Sequence, residues 1–308
     1  MIIYKHSDCL LKDNGLNHPE RKERIDSILE SIEQIKDFEI NFKEAPLADI
    51  ETISLVHPKK HVEKIFSNIP KSGLIGVEKE PYADTMLCPN SKKAILRSCG
   101  AGIAAAKDLM KKNERVFCAI RPPGHHAETT KAMGFCFINN IAVTAKYLQN
   151  KYKVNKIAII DFDVHHGNGT QEIFYNDETV LYASSHEFPL FPGTGSEQET
   201  GVGNIFNAPL KTGMKGNEFL KIFDQKILRP IDKFKPEIIL ISAGFDAHVR
   251  DPLANINLES EDFYQITKQI VDLANIHSKG RVISFLEGGY DLQALSESIK
   301  QHLLALKN

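Results

Sequence analysis

The sequence IAIIDFDVHHGNGT, which spans residues 157–170, joins an apolar run to a cluster of polar side chains. Apolar runs of this kind are typical of parallel strands that helices cover on both faces. Asp161, Asp163 and His165 occupy alternate positions, so extended backbone would direct all three to one face. Buried carboxylates without partners are costly, and a divalent metal ion would offset that cost. The segment therefore predicts a buried strand that ends in a metal site; the alternative is a solvated turn that contains a helix N-cap.

Short apolar segments alternate with helical patterns along the rest of the chain. The candidate strands are 2–6, 116–120, 156–163, 180–186, 237–243 and 281–286. Apolar residues three and four positions apart predict helices over 91–110, from 263 to Gly280, and over 291–306. Repeated strand–helix–strand units predict an α/β fold in which a mainly parallel central sheet lies between two helical layers. We expect a single domain over residues 1–308. The alternative is an eight-stranded barrel, because periodicity does not distinguish open sheets from closed ones.

The composition limits the classes of partner. Thirty-eight lysines and arginines nearly balance 40 aspartates and glutamates, and the formal net charge of −2 argues against a basic nucleic-acid-binding face. No segment approaches the roughly 18 apolar residues of a transmembrane helix, and the first residues lack the apolar region of a secretion signal. Five cysteines without a CxxC pair favour reduced thiols. We therefore expect a cytoplasmic protein with no nucleic-acid or membrane partner, and the sequence leaves its oligomeric state undetermined.

A second polar cluster follows the predicted strand 237–243. In open α/β sheets ligands bind beyond the carboxyl ends of strands, and Asp246 lies just past this one, in a turn that Gly244 makes flexible. By itself Asp246 would be a helix cap. Beside the first segment it supplies the third protein ligand of a catalytic zinc site, which keeps one position for water or substrate. His248 is an alternative ligand, although an exposed loop histidine is the interpretation that we favour.

Two more clusters supply groups for acid–base chemistry. In RPPGHHAE at 121–128, two prolines and a glycine keep the segment that carries His125 and His126 non-helical. Histidine suits proton transfer at neutral pH. In EGGYDL at 287–292, Tyr290 follows a flexible glycine pair and can donate a hydrogen bond to an oxyanion. Taken singly, the histidines would be a surface pair and the tyrosine a packing residue. The sequence lacks GxGxxG, GxxxxGK[ST], HExxH and GxSxG, so it does not support dinucleotide-binding, nucleotide-binding or serine-esterase functions.

Together these segments resemble the zinc-dependent histone deacetylase family, within the arginase/deacetylase superfamily. The matching stretches, in the order of the family, are HPERKERI at 18–25, DTMLCPNS at 84–91, RPPGHHAE at 121–128, GFCFINN at 134–140, DFDVHHGNGTQ at 161–171, FPGTG at 191–195, SAGFDAHVRDPLA at 242–254 and EGGYDL at 287–292. They cover nearly the whole chain, and several are long and unusual in composition. RPPGHHAE, HHGNG and EGGY are more similar to class II and bacterial deacetylase-like amidohydrolases than to class I.

The resemblance implies two kinds of metal ion. The ligands of one catalytic zinc ion would be Asp163, His165 and Asp246. Members of the family also bind structural or regulatory potassium beside the zinc, and its ligands here would be Asp161, Asp163, His165, Ser184 and Ser185. A second, more distant potassium site would use Phe174, Asp177 and Val180.

The resemblance also implies the catalytic groups. His126 would act as general base and then as general acid, with His125 as its electrostatic partner. Asp161 would orient His125. Asn168 would be the partner of His126, at a position where class I enzymes have aspartate and class II enzymes usually have asparagine. Tyr290 would bind the carbonyl oxygen of the substrate.

Substrate-binding residues are implied in the same way. A narrow tunnel for an acylated lysine would be built from Gly134, Phe135, Phe191, Leu253 and Gly288. Arg21 matches an arginine that lies beneath the metal and lines the acetate-side pocket. Asp84 lies near the rim loop that holds the substrate backbone in some members.

The implied function is metal-assisted hydrolysis of an acyl-lysine amide in a protein or peptide, giving acetate or a related acid and free lysine. An acetylpolyamine amidohydrolase is the main alternative, but Arg250, Pro252 and Leu253 after Asp246 do not favour a second cationic group. Arginase chemistry would need carboxylates for paired manganese that these segments lack. A non-catalytic acyl-lysine-binding protein is the alternative outside the enzymes, and the intact set of zinc ligands, histidines and tyrosine argues against it. The accepted acyl length and the natural substrate are not determined by the sequence.

Overall fold

A parallel β-sheet organises the fold. The computed structural model describes residues 1–77 and 84–308. Its strands are β1 (Ile2–Lys5), β2 (Asn41–Glu44), β3 (Ile75–Gly76), β4 (Met86–Leu87), β5 (Val116–Cys118), β6 (Ile157–Asp161), β7 (Val180–Glu187), β8 (Ile205–Leu210), β9 (Ile238–Ala243) and β10 (Val282–Leu286). Eight of them form one sheet in the order β2-β1-β5-β10-β9-β6-β7-β8, and every neighbouring pair in it is parallel. The short strands β3 and β4 form a separate antiparallel pair.

Helices cover both faces of this sheet. They are α1 (Glu23–Glu33), α2 (Ile50–Ile53), α3 (Lys59–Ser67), α4 (Ser91–Lys112), α5 (Asn140–Tyr152), α6 (Asn168–Phe174), α7 (Gly216–Phe223), α8 (Arg229–Phe234), α9 (Ser260–His277) and α10 (Leu292–Lys307), with a 3₁₀ turn over Ser7–Cys9 and a π-helical turn over Asp224–Leu228. Buried side chains of α1, α7, α9 and α10 share one apolar core with the sheet, and those of α4 and α5 share another. Among the described residues, no helix combines the length and apolarity that crossing a bilayer requires.

The prediction of a three-layer α/β fold with a mainly parallel sheet is confirmed. Within β6, Ile157 and Ile159 enter the core beneath α4 and α5, whereas Ala158 and Ile160 enter the core on the opposite face. Burial on both faces explains why the strand is apolar at every position. The barrel alternative is wrong, because β2 and β8 are the two opposite edges of an open sheet.

All six predicted strands and all three predicted helices are present, with ends that differ by a few residues. The sequence prediction missed β2 and β8. Strand β2 is mostly exposed and has the polar sequence NFKE, so it carries no apolar signal. Strand β8 contains Pro209, which argues against a central strand, but β8 lies at an edge where the missing N–H is tolerated.

The strand order brings distant segments of the chain together. Strands β5, β10, β9, β6 and β7 are consecutive neighbours in the sheet. Because they are parallel, their carboxyl ends meet at one edge, where ligands bind in folds of this kind. Every polar cluster that the sequence singles out follows one of these five strands.

Helix α4 packs closely against the chain segment before α2, and this contact gives a testable prediction. A β-carbon at Gly100 would overlap the backbone carbonyl of Pro46, so Gly100→Ala should cost about 1–3 kcal/mol of overpacking, although alanine favours a helix over glycine by about 1 kcal/mol. We expect a lower free energy of unfolding in urea. Lys111→Ala, on the exposed end of the same helix, should change it by less than about 0.5 kcal/mol. Equal or greater stability of Gly100→Ala would contradict the prediction.

Candidate functional site

Asp163, His165 and Asp246 converge at the carboxyl edge of the sheet. Each offers one ligand atom, and these atoms lie within 4.8 Å of one another. All three residues are buried, and His165 Nδ1 lies 3.2 Å from Asp163 Oδ1 and 3.1 Å from Asp246 Oδ2. Asp163 and His165 lie in the loop after β6, so the loop rather than strand alternation brings them together. Two carboxylates and one imidazole fit the donor set of a catalytic zinc ion.

The triad concentrates negative charge in a buried place. Burial opposes ionisation of Asp163, but the positive charge of His125 and the hydrogen bond with His165 hold the pKa of Asp163 well below its usual range. Burial and the charge of Asp163 raise the pKa of Asp246. Burial alone would lower the pKa of His165, but its hydrogen bonds to both carboxylates raise that pKa to about 10. A proton on His165 therefore compensates the carboxylates, a role that a bound cation would take over.

Two adjacent histidines stand beside the triad with different partners. His125 Nδ1 lies 3.1 Å from Asp161 Oδ2, which also accepts a hydrogen bond from the Tyr182 hydroxyl. His126 Nδ1 lies 2.9 Å from Asn168 Oδ1, and the two imidazole centroids are 3.9 Å apart. Asp161 thus holds His125 through Oδ2, the geometry that the resemblance implies, while its Oδ1 accepts the backbone N–H of Asp163 at 3.2 Å.

The partners divide the two histidines by charge. Burial would lower the pKa of His125, but the carboxylates of Asp163 and Asp161 outweigh it and raise that pKa to about 10. Burial and the charge of His125 hold the pKa of His126 well below its ordinary value. The side-chain amide of Asn168 donates to Glu128 Oε1 at 2.7 Å, so its oxygen faces His126 and accepts from Nδ1. His126 is therefore a neutral imidazole whose Nε2 lone pair is available as a base.

Glu287, at the carboxyl end of β10, holds the histidine segment in place. Its Oε2 accepts the backbone N–H groups of Gly124 at 2.7 Å and His125 at 3.2 Å, and its Oε1 accepts from the Ser242 hydroxyl at 3.1 Å. Burial raises the pKa of Glu287 to about 7. The sequence analysis missed this residue, although a glutamate directly after a buried apolar strand was a usable signal.

Tyr290 is buried above an arginine, and the structure corrects which arginine this is. Arg24 donates to the carbonyl oxygens of Gly289 and Glu287, both at 2.6 Å, and its guanidinium carbon lies 5.0 Å from the centre of the Tyr290 ring. The prediction that Arg21 lines this place is wrong, because Arg21 lies on the exposed segment before α1. Arg24 and Ile28 are four positions apart and lie on the same buried face of α1. This helical spacing is visible in the sequence and would have favoured Arg24 over Arg21.

A buried ion network supports Arg24 from below. Glu20 is fully buried and contacts Arg24 Nη1 at 3.4 Å and Arg121 Nη2 at 3.0 Å. Its Oε2 also accepts from Asn14 Nδ2 at 2.6 Å. Burial opposes ionisation of Glu20, but the positive charge of Arg121, reinforced by Arg24, lowers the pKa of Glu20 to about 2. Two arginines and one carboxylate thus fix the floor of the site.

A cavity of about 240 Å³ opens beside the triad. It is lined by Asp84, His126, Gly134, Phe135, His165, Leu190, Phe191, Leu253 and Tyr290. A β-carbon at Gly134 would overlap the His126 ring, so this wall requires glycine.

Gly288 does not line the cavity, although the resemblance implies that it does. Its N–H donates to Asp163 Oδ2 at 2.7 Å, and a β-carbon there would overlap the Asp246 carboxylate. The sequence analysis missed Leu190. A larger cavity of about 560 Å³ is lined by residues between 10 and 23 and by no triad residue. Cavity volume alone would therefore not identify the site at the triad.

The two expected potassium sites differ in the structure. Ser184 pairs with Asp161 across β6 and β7, and its hydroxyl lies 2.9 Å from His186 Nδ1. The hydroxyl of Ser185 is buried and has no hydrogen-bond partner among the described residues. Ser184 thus lies next to Asp161 in the sheet, as the first ligand set requires, and a potassium ion at this set stays a prediction.

The second expected set is occupied by a side chain of the protein itself. Asn204 Nδ2 donates to the carbonyl oxygens of Phe174, Asp177 and Val180 at 2.8, 3.0 and 2.8 Å. The Oδ1 of Asn204 accepts from the N–H of Val202 at 3.2 Å, which fixes the orientation of the amide. The three carbonyls therefore converge, as the predicted ligand set requires, but here on the amide of Asn204, and the second potassium site stays a prediction.

His248 is neither a ligand nor the exposed loop histidine that we favoured. It is buried, its Nδ1 accepts from the N–H of Arg250 at 3.1 Å, and its Nε2 lies 3.2 Å from the Ser260 hydroxyl. The loop that carries it packs against Phe263 on α9. His248 therefore anchors this loop to the helix.

Comparison with known proteins places these residues in a wider context. A family model described as a histone deacetylase domain matches residues 18–306. The chain is 37% identical over 318 residues to a protein of Oryza sativa subsp. japonica named Histone deacetylase 10, chloroplastic, covering 97% of this chain and 71% of that protein. It is 36% identical over 298 residues to a probable deacetylase of Archaeoglobus fulgidus, covering 94% and 81% of the two chains. The solved structure of the HDA15 HD domain matches with a TM-score of 0.91 at 30% identity and covers 99% of this chain and 87% of that one.

The ion network predicts a pH-dependent loss of stability. The pKa of Glu20 falls from 4.5 to about 2 on folding, so its stabilising effect is present above about pH 4.5 and is lost as the pH falls towards about 2. Glu20→Gln leaves two buried arginines under-compensated and should cost about 3–5 kcal/mol at neutral pH. We expect the gap between wild type and Glu20→Gln, measured by urea unfolding, to narrow as the solution is acidified. Glu197→Gln, which breaks an exposed pair with Lys226, should give no such trend. A gap that is independent of pH would contradict the prediction.

Proposed function

The chain belongs to the histone deacetylase family, and from that premise we propose that it is a zinc-dependent amidohydrolase that removes acetyl or related acyl groups from lysine side chains of proteins or peptides. Family membership supports a deacetylase activity, that is, hydrolysis of an amide. The observation that carries the finer proposal is that His165 of the buried Asp163–His165–Asp246 triad and the neutral His126 line the same cavity as Tyr290.

Asp163, His165 and Asp246 would hold the zinc ion. Zinc in such a site supplies Lewis acidity, which polarises an amide carbonyl and acidifies a water molecule. The protein prepares for this by keeping the triad buried and by fixing Asp163 from two sides, through the N–H of Gly288 at 2.7 Å and that of His165 at 2.9 Å. The carboxylates are therefore oriented before the ion binds.

His126 performs the proton transfers. Its neutral Nε2 removes a proton from the attacking water, and Asn168 holds the Nδ1 proton in place throughout. The same Nε2–H then protonates the amine as the C–N bond breaks, giving a carboxylate and a free amine. The carboxylate of Asp161, 3.1 Å from His125 Nδ1, favours the protonated form of His125, and a positive charge on His125 would limit how basic His126 becomes.

Tyr290 stabilises the negative charge that develops on the carbonyl oxygen. Burial raises the pKa of Tyr290 well above its ordinary value, so the phenol stays protonated and can donate a hydrogen bond. The Arg24 guanidinium lies against the ring, with its central carbon 5.0 Å from the ring centre. A donor that is held in place in this way reduces the reorganisation needed when the charge develops.

The cavity supports a lysine stem as the substrate. Phe135, Phe191 and Leu253 offer apolar walls, which suit the four methylenes of an acylated lysine better than a chain with a second charge. One observation favours the alternative, an acetylpolyamine amidohydrolase: the carboxyl of Asp84 also lines the cavity. Burial raises the pKa of Asp84. Arg250 pairs with Glu297. Neither residue lines the cavity, so the Glu297 carboxylate does not offer a site for a second ammonium group there.

Two further expectations belong to this proposal. One potassium ion would bind beside the zinc, at the set that includes Asp161, Ser184 and the unpartnered hydroxyl of Ser185. The cytoplasmic location stays a prediction; the rice relative is described as chloroplastic. A non-catalytic acyl-lysine-binding protein would not need the proton-transfer groups that surround the triad.

The proposed function is tested by a substrate panel. We expect the zinc-loaded chain to release acetate from an acetyl-lysine peptide faster than from N-acetylputrescine, and a chelator to abolish both reactions. Tyr290→Phe should lower kcat by about 10²–10³-fold because one oxyanion donor is lost, while zinc content stays at the wild-type level. Tyr264→Phe, on α9, is the matched control and should retain full activity. Faster turnover of N-acetylputrescine would favour the polyamine function, and peptide binding without acetate release would favour the non-catalytic alternative.

Metal binding should stabilise the folded chain through the triad. Zinc at about 100 times its Kd should add about 2.7 kcal/mol and raise Tm. Asp246→Asn keeps the shape of the side chain but removes a negative donor, so its Tm should respond much less to zinc. Asp272→Asn, which changes an exposed carboxylate on α9, should respond as the wild type does. An unchanged zinc response in Asp246→Asn would exclude Asp246 as a ligand.

A further inference from the structure

A buried aspartate outside the proposed catalytic set connects two walls of the cavity. Asp251 is 7% exposed and lies in the loop after β9. Its Oδ2 accepts the backbone N–H of Tyr290 at 2.7 Å, and its Oδ1 accepts the backbone N–H of Leu253 at 3.0 Å. Its own N–H donates to the carbonyl of His248 at 2.8 Å. One carboxylate thus joins the loops that follow β9 and β10.

The segment that leads to Tyr290 contains two glycines, so contacts with other segments must fix its path. Gly288 and Gly289 precede it, and Gly289 has a φ of +114°, a conformation that side chains rarely adopt. The hydrogen bond from the Tyr290 amide to Asp251 therefore helps to fix the position of the backbone directly after the two glycines. It is the charge-assisted type, which is shorter and stronger than a bond between neutral groups.

Asp251 also holds Leu253, which forms part of the apolar wall for the substrate side chain. Leu253 and Tyr290 both line the cavity of about 240 Å³, but they come from different strands. Asp251 thus links the backbone of the Leu253 wall to the backbone of the Tyr290 segment. A small displacement of a reacting group can reduce turnover strongly.

The carboxylate is held where ionisation is costly. Burial and the negative charge of Asp246 raise the pKa of Asp251 to about 7, whereas hydrogen bonds from the backbone amides of Tyr290, Leu253 and Asp291 oppose that rise. The charge of Asp246 therefore disfavours ionisation of Asp251, and the dipoles of these amide groups favour it. Its bonds to the backbone are its main compensation.

We propose that Asp251 is a positioning residue for the hydrolysis proposed above: it sets the place of the Tyr290 phenol relative to the triad and to the Leu253 wall. The inference rests on the proposed function. It differs from a purely structural role because it requires that the effect of Asp251 on turnover pass through the Tyr290 hydroxyl.

A double-mutant cycle tests this directly. Asp251→Ala should lower kcat for an acetyl-lysine peptide by about 10–100-fold in the wild-type background, with zinc content unchanged. In the Tyr290→Phe background, where no phenol remains to be positioned, the same substitution should lower kcat by less than about 3-fold. Asp251→Asn keeps the size of the side chain and one acceptor oxygen, so it should be intermediate, and it provides a variant that folds if Asp251→Ala does not.

The matched control is Glu187→Gln. Glu187 is 2% exposed and anchors the same loop by accepting the N–H of Asn255 at 2.8 Å, but it has no hydrogen bond to Tyr290. It should lower Tm and give equal changes in kcat in both backgrounds. Equal losses for Asp251 variants in the two backgrounds would overturn the inference while the function stands. A wild-type chain that hydrolyses no acyl substrate would refute the proposed function and the inference with it.

Discussion

The compensation of buried negative charge is the constraint on which the rest of the site depends. Four buried carboxylates, those of Asp161, Asp163, Asp246 and Glu287, lie at one edge of the sheet. An uncompensated buried ion costs several kcal/mol, so each has a defined partner: His125 for Asp161, His165 for Asp163 and Asp246, and backbone amides for Glu287. The arrangement is stable only when the positive charge of protonated histidines or of a metal ion is present, which makes the site a cation site before it is a catalytic one.

The parallel sheet is what makes this concentration of charge possible. Strands β5, β10, β9 and β6 are neighbours in space although their order in the chain is different. Each contributes one loop at the same edge, so residues more than a hundred positions apart, such as Asp163 and Gly288, come within hydrogen-bond distance. The apolar strands between the helical layers form a rigid base, and glycines at 134 and 288 leave room where a β-carbon would overlap a functional side chain.

The sequence predicts the parts of this structure that have strong local signals. A strand buried on both faces is apolar throughout, as in β6, and polar residues directly after it stand out. Side chains whose role depends on packing are less accessible: Arg21 and Arg24 are equally charged, and only the inward face of α1 separates them. The amide of Asn204 fills a carbonyl cluster that a motif alone assigns to potassium. His248 looks like an exposed loop residue in the sequence, because its burial by distant segments cannot be derived from its neighbours in the chain.

The different behaviour of two adjacent and chemically identical histidines follows from their partners alone. Asp161 is a carboxylate and stabilises the protonated form of His125, whereas Asn168 is neutral and stabilises only one tautomer of His126. With imidazole centroids 3.9 Å apart, two positive charges would repel each other strongly, so protonation of His125 keeps His126 neutral. A carboxylate at position 168 would favour the protonated form of His126 more than the neutral asparagine does. With asparagine there, the pair combines one histidine that favours the cation with one that favours the neutral base, and a neutral base can accept a proton from water.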